Sequence, residues 1–356
     1  MTAPSKPGSS GASGAAASGG LLRVAIVGAS TLKGKELKEV LEAGSFPAVD
    51  VKLLDDDESL GQLDAVGDEA TFIQSVLPET LEHLDLAFFA SEPAFTRKHW
   101  GTARGAGAAI VDLSYALEDE PGVPVRSPWI EQELGNGAAA LEARVIATAH
   151  PAATVLALLL LRAQKAGALE RVAATVCEPA SEHGRRGIDE LHQQTVSLLS
   201  FQSLPRKVFD AQVTFNLLAR YGEKAAPTLE STERRILEHF RRLTAERVPV
   251  PSMVLVQAPI FHGHVFSLYL ETAGKVSLGD LARVMEGGHI VVPPGSEDAP
   301  SNVSAAGQDQ VQLALRADPA RENAFWLWAT ADNLRISALT AVECATALVR
   351  ARGKVA

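Results

Sequence analysis

Residues 21–44 read LLRVAIVGASTLKGKELKEVLEAG. The run Leu21–Gly28 is almost wholly apolar and ends in glycine, so it reads as a strand buried on both faces, as in parallel sheets. Leu37, Val40 and Leu41 then recur at helical spacing, and Gly44 stops the helix. A strand that turns through glycine straight into a helix opens a doubly wound α/β domain.

The pattern repeats outward from there. VDVKLLDDDES is a second strand that ends in acids, LDLAFFAS (Leu84–Ser91) a third and GAAIVDLS (Gly107–Ser114) a fourth, with a helical stretch from Pro93 to Ala106 between the last two. Residues 115–143 are rich in loop signals around PGVPVRSP. Then comes IATAHPAATVLALLLL (Ile146–Leu161): a strand, a short loop of small residues and a long apolar helix. In an α/β enzyme such a loop places a nucleophile or an anion at the positive end of the helix. Here it holds His150, Pro151, Ala152, Ala153 and Thr154, with no Cys or Ser.

After this helix the pattern changes. RVAATVCEPA reads as a strand and GIDELHQQTVSLL as a helix. STERRILEHFRRLT (Ser231–Thr244) is a second helix with Ser231 as its expected N-cap. SMVLVQAPIFHGHVFSLYLET is one or two strands, LGDLARVMEGG a helix and AFWLWAT a strand. This half reads as an α+β domain with a mixed sheet. The last helix, DNLRISALTAVECATALVRA, is expected to pack back on the first domain. The expected division is a disordered tail over 1–20, a dinucleotide-binding-type domain over 21–149 and 332–356, and a dimerisation or substrate-type domain over 150–331.

Bulk properties narrow the function. The 356 residues suffice for two domains, and 46% hydrophobic with 21% charged residues is ordinary for a globular chain. A net charge of −10 argues against nucleic acid or an anionic membrane as the main partner. The longest apolar run, Val155–Leu161, is far short of the ~20 residues of a membrane helix. Residues 1–20 are Gly, Ala and Ser with two prolines and no signal-peptide core, hence a tail that cannot repay its ordering entropy. Cys177 and Cys344 form no disulfide or zinc spacing, which fits a reducing cytoplasm.

Gly28 and Gly34 bracket a turn that lacks the middle glycine of the dinucleotide fingerprint; Thr31 stands there, where a β-branched side chain would crowd a pyrophosphate. The strand-turn-helix context still makes Gly28, Ser30, Thr31 and Gly34 candidate cofactor-binding residues.

VAIVGAS with Gly34, AAIVDLS, EPGVPVRSPWI, IATAHPAAT, APIFHGH and DNLR follow one another in an order that resembles the aspartate-semialdehyde dehydrogenase family over nearly all of the chain after residue 21. The resemblance implies an NADP-binding domain, a dimerisation and catalytic domain, and a homodimer. It implies reversible reductive dephosphorylation of an aspartyl phosphate through a cysteine thioester. A His acid/base, a positioning Gln, and Arg and Lys groups for carboxylate and phosphate complete the family's site.

Carried onto this chain, much of that chemistry is missing. The nucleophile falls on Ala152, or on Ala153 with a one-residue shift, and neither attacks a carbonyl. The positioning Gln falls on Cys177 and a family Arg on Gln257. In the stretch that binds phosphate, Leu113 replaces an Asn and Glu118 an Arg, which would repel a phosphate. His264 survives as acid/base, and Glu233 with Arg235 matches the substrate-contacting Glu and Lys. Where the family holds the 2′-phosphate of NADP, the chain reads Asp55, Asp56, Asp57, Glu58. An acid there suits the ribose hydroxyl of NAD and disfavours NADP; the alternative is a solvated acidic loop.

The expectations are therefore a family fold without the family activity, holding a small-molecule or nucleotide ligand, or else an altered NAD-dependent oxidoreductase. The second would rely on His264 with Cys177 as a relocated nucleophile, since a thiol beside an imidazole is activated. No metal site is expected; His150, His183 and His264 would form one only if all three rings converged.

Overall fold

The computed structural model describes residues 22–44, 46, 49–56, 58–66, 69–135, 143–293 and 299–352; the tail over 1–20 lies outside the described residues. The first half runs β1 (Leu22–Val27), α1 (Leu32–Ala43), β2 (Val49–Asp55), a hairpin of β3 (Leu63–Val66) and β4 (Glu69–Phe72), β5 (Gln74–Ser75) and α2 (Pro78–Leu81). It continues with β6 (Leu86–Phe89), α3 (Pro93–Gly105), β7 (Ala109–Asp112), β8 (Val125–Arg126), α4 (Pro128–Glu133) and β9 (Val145–Thr148). Seven of these strands form one parallel sheet in the order β5-β2-β1-β6-β7-β9-β8. Strand order reverses beside β1, which lies between β2 and β6, so the crevice at their carboxyl ends is where such folds take ligands. Val24, Ala25, Ile26 and Val27 are fully buried, as a strand covered on both faces requires. The stretch 115–143, read as loop, supplies β8 and α4 as well.

The second half runs α5 (Pro151–Gln164), β10 (Leu169–Glu178), a 3-10 turn (Ala180–His183), α6 (Gly184–Leu199), α7 (Leu229–Thr244), β11 (Ser252–Gln257), β12 (His264–Thr272) and α8 (Leu278–Met285). It ends with β13 (Ile290–Val291), α9 (Asn302–Ala305), β14 (Val311–Ala317), β15 (Ala324–Ala331) and α10 (Asn333–Ala351). Its sheet is mixed, in the order β11-β10-β12-β15-β14-β13. The stretch 252–272 is two strands, parted by a turn in which Gly263 takes φ +82°. Ser231 is not the N-cap of α7. Thr228 is, its hydroxyl accepting from the Ser231 N–H, and the buried Leu229 starts the helix earlier.

Apolar residues surround α5 because it has neighbours on all sides: α4, α7, α8, α10 and β10. One face of the mixed sheet, with Val176, Phe266, Leu268 and Leu327, packs into the same core. The other face carries Thr175, Cys177, Tyr269 and Trp326 half-buried, with Val254 and Trp328 43% and 44% exposed. Finally, α10 returns to the first sheet, where Ala338, Ala341 and Ala345 join the core formed by Leu37, Val40 and Leu41 of α1.

Candidate functional site

The turn after β1 is built for close approach. Gly28 has φ +89°, and a Cβ on it would stand 2.5 Å from the Ser91 nitrogen. A Cβ on Gly34 would stand 2.1 Å from the Gly28 carbonyl oxygen. The Thr31 hydroxyl is committed to the turn, while the residue still lines the cavity there. Thr31 caps α1, its Oγ1 accepting from Gly34 N–H and lying 2.8 Å from the Gly28 carbonyl oxygen and 3.0 Å from that of Ala90.

Asp55, at the end of β2, is only 5% exposed. Its carboxylate accepts from the Ser30 N–H (2.7 Å) and the Asp56 N–H (2.9 Å), so it anchors the turn and is not a solvated acid. Asp56 and Glu58 are exposed. The Leu32 and Lys33 N–H groups, in the first turn of α1, keep no partner among the described residues. The crevice thus fits a dinucleotide: bare backbone, open donors at a helix N-terminus, and a carboxylate at the end of the second strand.

A cavity of about 370 Å³ adjoins this crevice and reaches the entry of α5. The residue that α5 presents there is His150, its N-cap. His150 Nδ1 accepts from the Ala152 N–H (3.2 Å), so its proton sits on Nε2, 3.6 Å from Glu182 Oε2. The backbone N–H of His150 donates to His239 Nδ1 (2.9 Å), which places the His239 proton on Nε2, 2.9 Å from Glu118 Oε2. Arg235 Nε reaches both Glu118 oxygens (2.8 and 2.9 Å). Burial works against Glu118 ionising, but the hydrogen bonds from His239 and Arg235 outweigh it and hold the acid below its ordinary value. Glu118 is therefore a neutralised anchor for Arg235, not a bare repulsive charge.

Glu182 lies at the centre of this wall. Asn333 Nδ2 donates to its Oε1 (2.8 Å), and Asn333 is itself fixed by Ser181 Oγ and the Gly263 N–H. Burial opposes the charge of Glu182, but His150, His264, Lys33 and the Asn333 amide together hold its carboxyl down to about 2. His264 Nε2 stands 3.9 Å from Glu182 Oε1 and has no hydrogen-bond partner. Burial keeps both His150 and His264 below the ordinary imidazole value, against the pull of Glu182.

Other expected residues lie elsewhere. Ala152 and Ala153 are fully buried behind His150 and do not line the cavity. Cys177 pairs with Val265 on the outer face of the sheet, so it cannot face His264 as expected. Strand alternation turns the next residue, Glu178, inward instead. Gln257 is buried: it accepts from the Tyr221 hydroxyl and donates to the Glu178 and Ala258 carbonyls. Glu233 accepts from the Leu255 N–H on the edge strand β11. Arg235 does line the cavity, with Thr232 one turn before it. The three imidazoles do not converge: His183 bonds Tyr221 (2.7 Å) beside Glu178, and no group of three or more His, Cys, Asp or Glu among the described residues could hold a metal. Sequence reasoning missed Glu182, Lys33 and Tyr115. Their one faint signal was position, each standing next to a quoted motif.

Residues 23–138 match the family model for the semialdehyde dehydrogenase NAD binding domain, and residues 159–336 that for the semialdehyde dehydrogenase dimerisation domain. The chain belongs to the semialdehyde dehydrogenase family. Among relatives, a USG-1 protein homolog of Pseudomonas aeruginosa is 34% identical over 336 residues, 92% of this chain and 98% of that one. An aspartate-semialdehyde dehydrogenase of Rickettsia bellii is 26% identical over 332 residues, 92% of this chain and 97% of that one. The solved structure of a probable aspartate-semialdehyde dehydrogenase from Pseudomonas aeruginosa superposes with a TM-score of 0.82 at 31% identity, covering 93% of this chain and 99% of that chain. The two family domains correspond to the parallel and the mixed sheet. No helix among the described residues is long and apolar enough to cross a membrane.

Proposed function

We propose that this family member has given up the thioester route of aspartate-semialdehyde dehydrogenases and keeps the cavity as a binding site for a small anionic molecule. One observation carries this reading: no thiol faces the cavity. Cys177 is on the outer face of the mixed sheet, Cys344 is buried in the core between α1 and α10, and the entry of α5 offers an imidazole. Without a thiol the thioester intermediate cannot form, and such losses cost several powers of ten in rate. The assay is phosphate-dependent reduction of NADP, or of NAD, by purified protein with aspartate semialdehyde. Turnover in the range of ordinary enzymes would overturn the reading.

In this reading NAD is preferred to NADP. Asp55 accepts hydrogen bonds, as a ribose hydroxyl would offer, and a 2′-phosphate beside it meets like charge. The half-exposed outer face around Trp328 and Val254 supports a homodimer through the mixed sheet. Two unpaired cysteines suit a cytoplasmic setting. An altered NAD-dependent oxidoreductase is the second reading. Its support is His264, whose unpartnered Nε2 could still accept or give a proton; Cys177, on the far face, has no part in it.

A further inference from the structure

Lys33 is the second residue of α1 and was unremarkable in the sequence. Its side chain reaches the end of β7, where Nζ donates to the Leu113 carbonyl (3.1 Å) and lies 4.2 Å from the centre of the Tyr115 ring. It lines the cavity with His150, Glu182 and Arg235. No carboxylate lies within 4.0 Å of it among the described residues, so it is a lysine in a protein cavity without an ion-pair partner. It also stands in the first turn of a helix that has no acid there, where the macrodipole disfavours a cation. Burial, helped by Arg235, moves its ammonium towards the free amine, against the pull of Glu182, Asp112 and Glu92.

Tyr115 is the second observation. It holds φ +63°, a costly conformation for a bulky residue, and is 8% exposed. Its hydroxyl is buried without any hydrogen-bond partner, yet the residue lines the cavity. Burial drives that hydroxyl's pKa well up, so it remains a donor at neutral pH. Tyr115 thus brings a hydroxyl without a partner to the same cavity wall as an amine that no carboxylate pairs.

We propose that Lys33 is the nucleophile of this cavity and forms an imine with a small aldehyde whose anionic group is held at Arg235. The amine lone pair attacks the carbonyl carbon, and the carbon–oxygen π pair moves to oxygen, which Tyr115 hydrogen-bonds. Nitrogen sheds a proton and oxygen takes one up, which leaves a neutral carbinolamine. The carbinolamine nitrogen then gives up its remaining N–H proton as it closes the C=N bond, and the hydroxyl leaves with a proton as water. Amine and aldehyde give imine and water, and no oxidant or reductant is consumed. The inference rests on the reading that the cavity works without a thiol; it names the group that takes over.

The test uses the whole protein with succinate semialdehyde, a four-carbon aldehyde acid. Borohydride reduction, digestion and peptide mass mapping locate the adduct. A lysine whose ammonium is disfavoured carries more free amine at neutral pH, so Lys33 is expected to label faster than every other lysine, and saturably. Tyr115→Phe should slow the labelling, and Arg235→Gln should raise the half-saturating aldehyde concentration while the adduct stays on Lys33. Labelling spread over exposed lysines, or an unmodified Lys33 in folded wild-type protein, overturns the inference. The phosphate-dependent assay above is scored separately. Turnover there removes the reading of lost activity, whereas an unlabelled Lys33 without turnover removes only the imine.

Discussion

Cys177 and His264 stand on opposite faces of one sheet. Cys177 is directly opposite Val265 in the antiparallel pair β10–β12, so the neighbour of Val265, His264, points the other way. A His264→Ala change should therefore leave the rate of Cys177 alkylation by iodoacetamide unchanged within about twofold, because no imidazole activates the thiol. Cys344 should label more slowly still, being fully buried with its pKa pushed up by burial. A large drop in Cys177 labelling on removing His264 would contradict this geometry.

Restoring a thiol at position 152 should not restore the family reaction. Ala152 is fully buried in the first turn of α5, behind His150. Ala152→Cys is expected to stay at least about 10⁴-fold below a thiol-bearing relative in phosphate-dependent turnover. Near-family turnover from this one change would show that the rest of the site is intact.

NAD should stabilise the protein more than NADP. Ligand at a hundred times its Kd adds about 2.7 kcal/mol to the native state, which a thermal melt resolves. Asp55→Ser should reverse the order of the two cofactors, since it removes the carboxylate that a 2′-phosphate would meet. Equal shifts before and after the substitution would exclude Asp55 as the discriminating group.

Acid should destabilise the fold in two windows. His150 and His264 are held below the ordinary 6.5, so the unfolded chain takes up their protons first. Their contribution is full above about pH 6.5 and falls as pH drops below it. Glu182, held at about 2 against an ordinary 4.5, contributes fully above about pH 4.5 and loses that contribution as pH falls towards 2. Melts at stepped pH should show both declines, and Glu182→Gln should remove the lower one. A Glu182→Gln profile identical to wild type would deny the acid its place between the two imidazoles.

Trp328, on the outer face of the mixed sheet, is expected to lie in a homodimer contact. Trp328→Glu should weaken self-association by about a hundredfold, the size of an interface hot spot. Light scattering of wild type and variant at micromolar concentration reads this directly. A wild-type monomer there would leave the exposed face without that partner.

The sequence by itself determined the architecture. An apolar run such as Val24–Val27 can only be covered on both faces, and the 3.6-residue recurrence in α1 and the all-round apolarity of α5 state which surfaces face a core. These are local signals, carried by residues a few places apart. Gly28, Gly34 and His264 could be singled out for the same reason, each lying in a short motif tied to one element; whether they serve a site is a tertiary matter, and His264 does not line the cavity. Tertiary structure decided what the site contains. Whether Cys177 or Glu178 faces inward depends on one residue of strand register, which composition does not encode. Glu233 and Gln257 are taken up by backbone and side-chain partners far along the chain, while Glu118 is disarmed by Arg235 and His239 from α7. Lys33, Tyr115, His150 and Glu182 come from four separate segments, and only the packing of the two sheets brings them to one cavity. Burial then sets their charges, because the free energy of an ionisable group depends on its distance from water and from other charges, and folding alone fixes those distances.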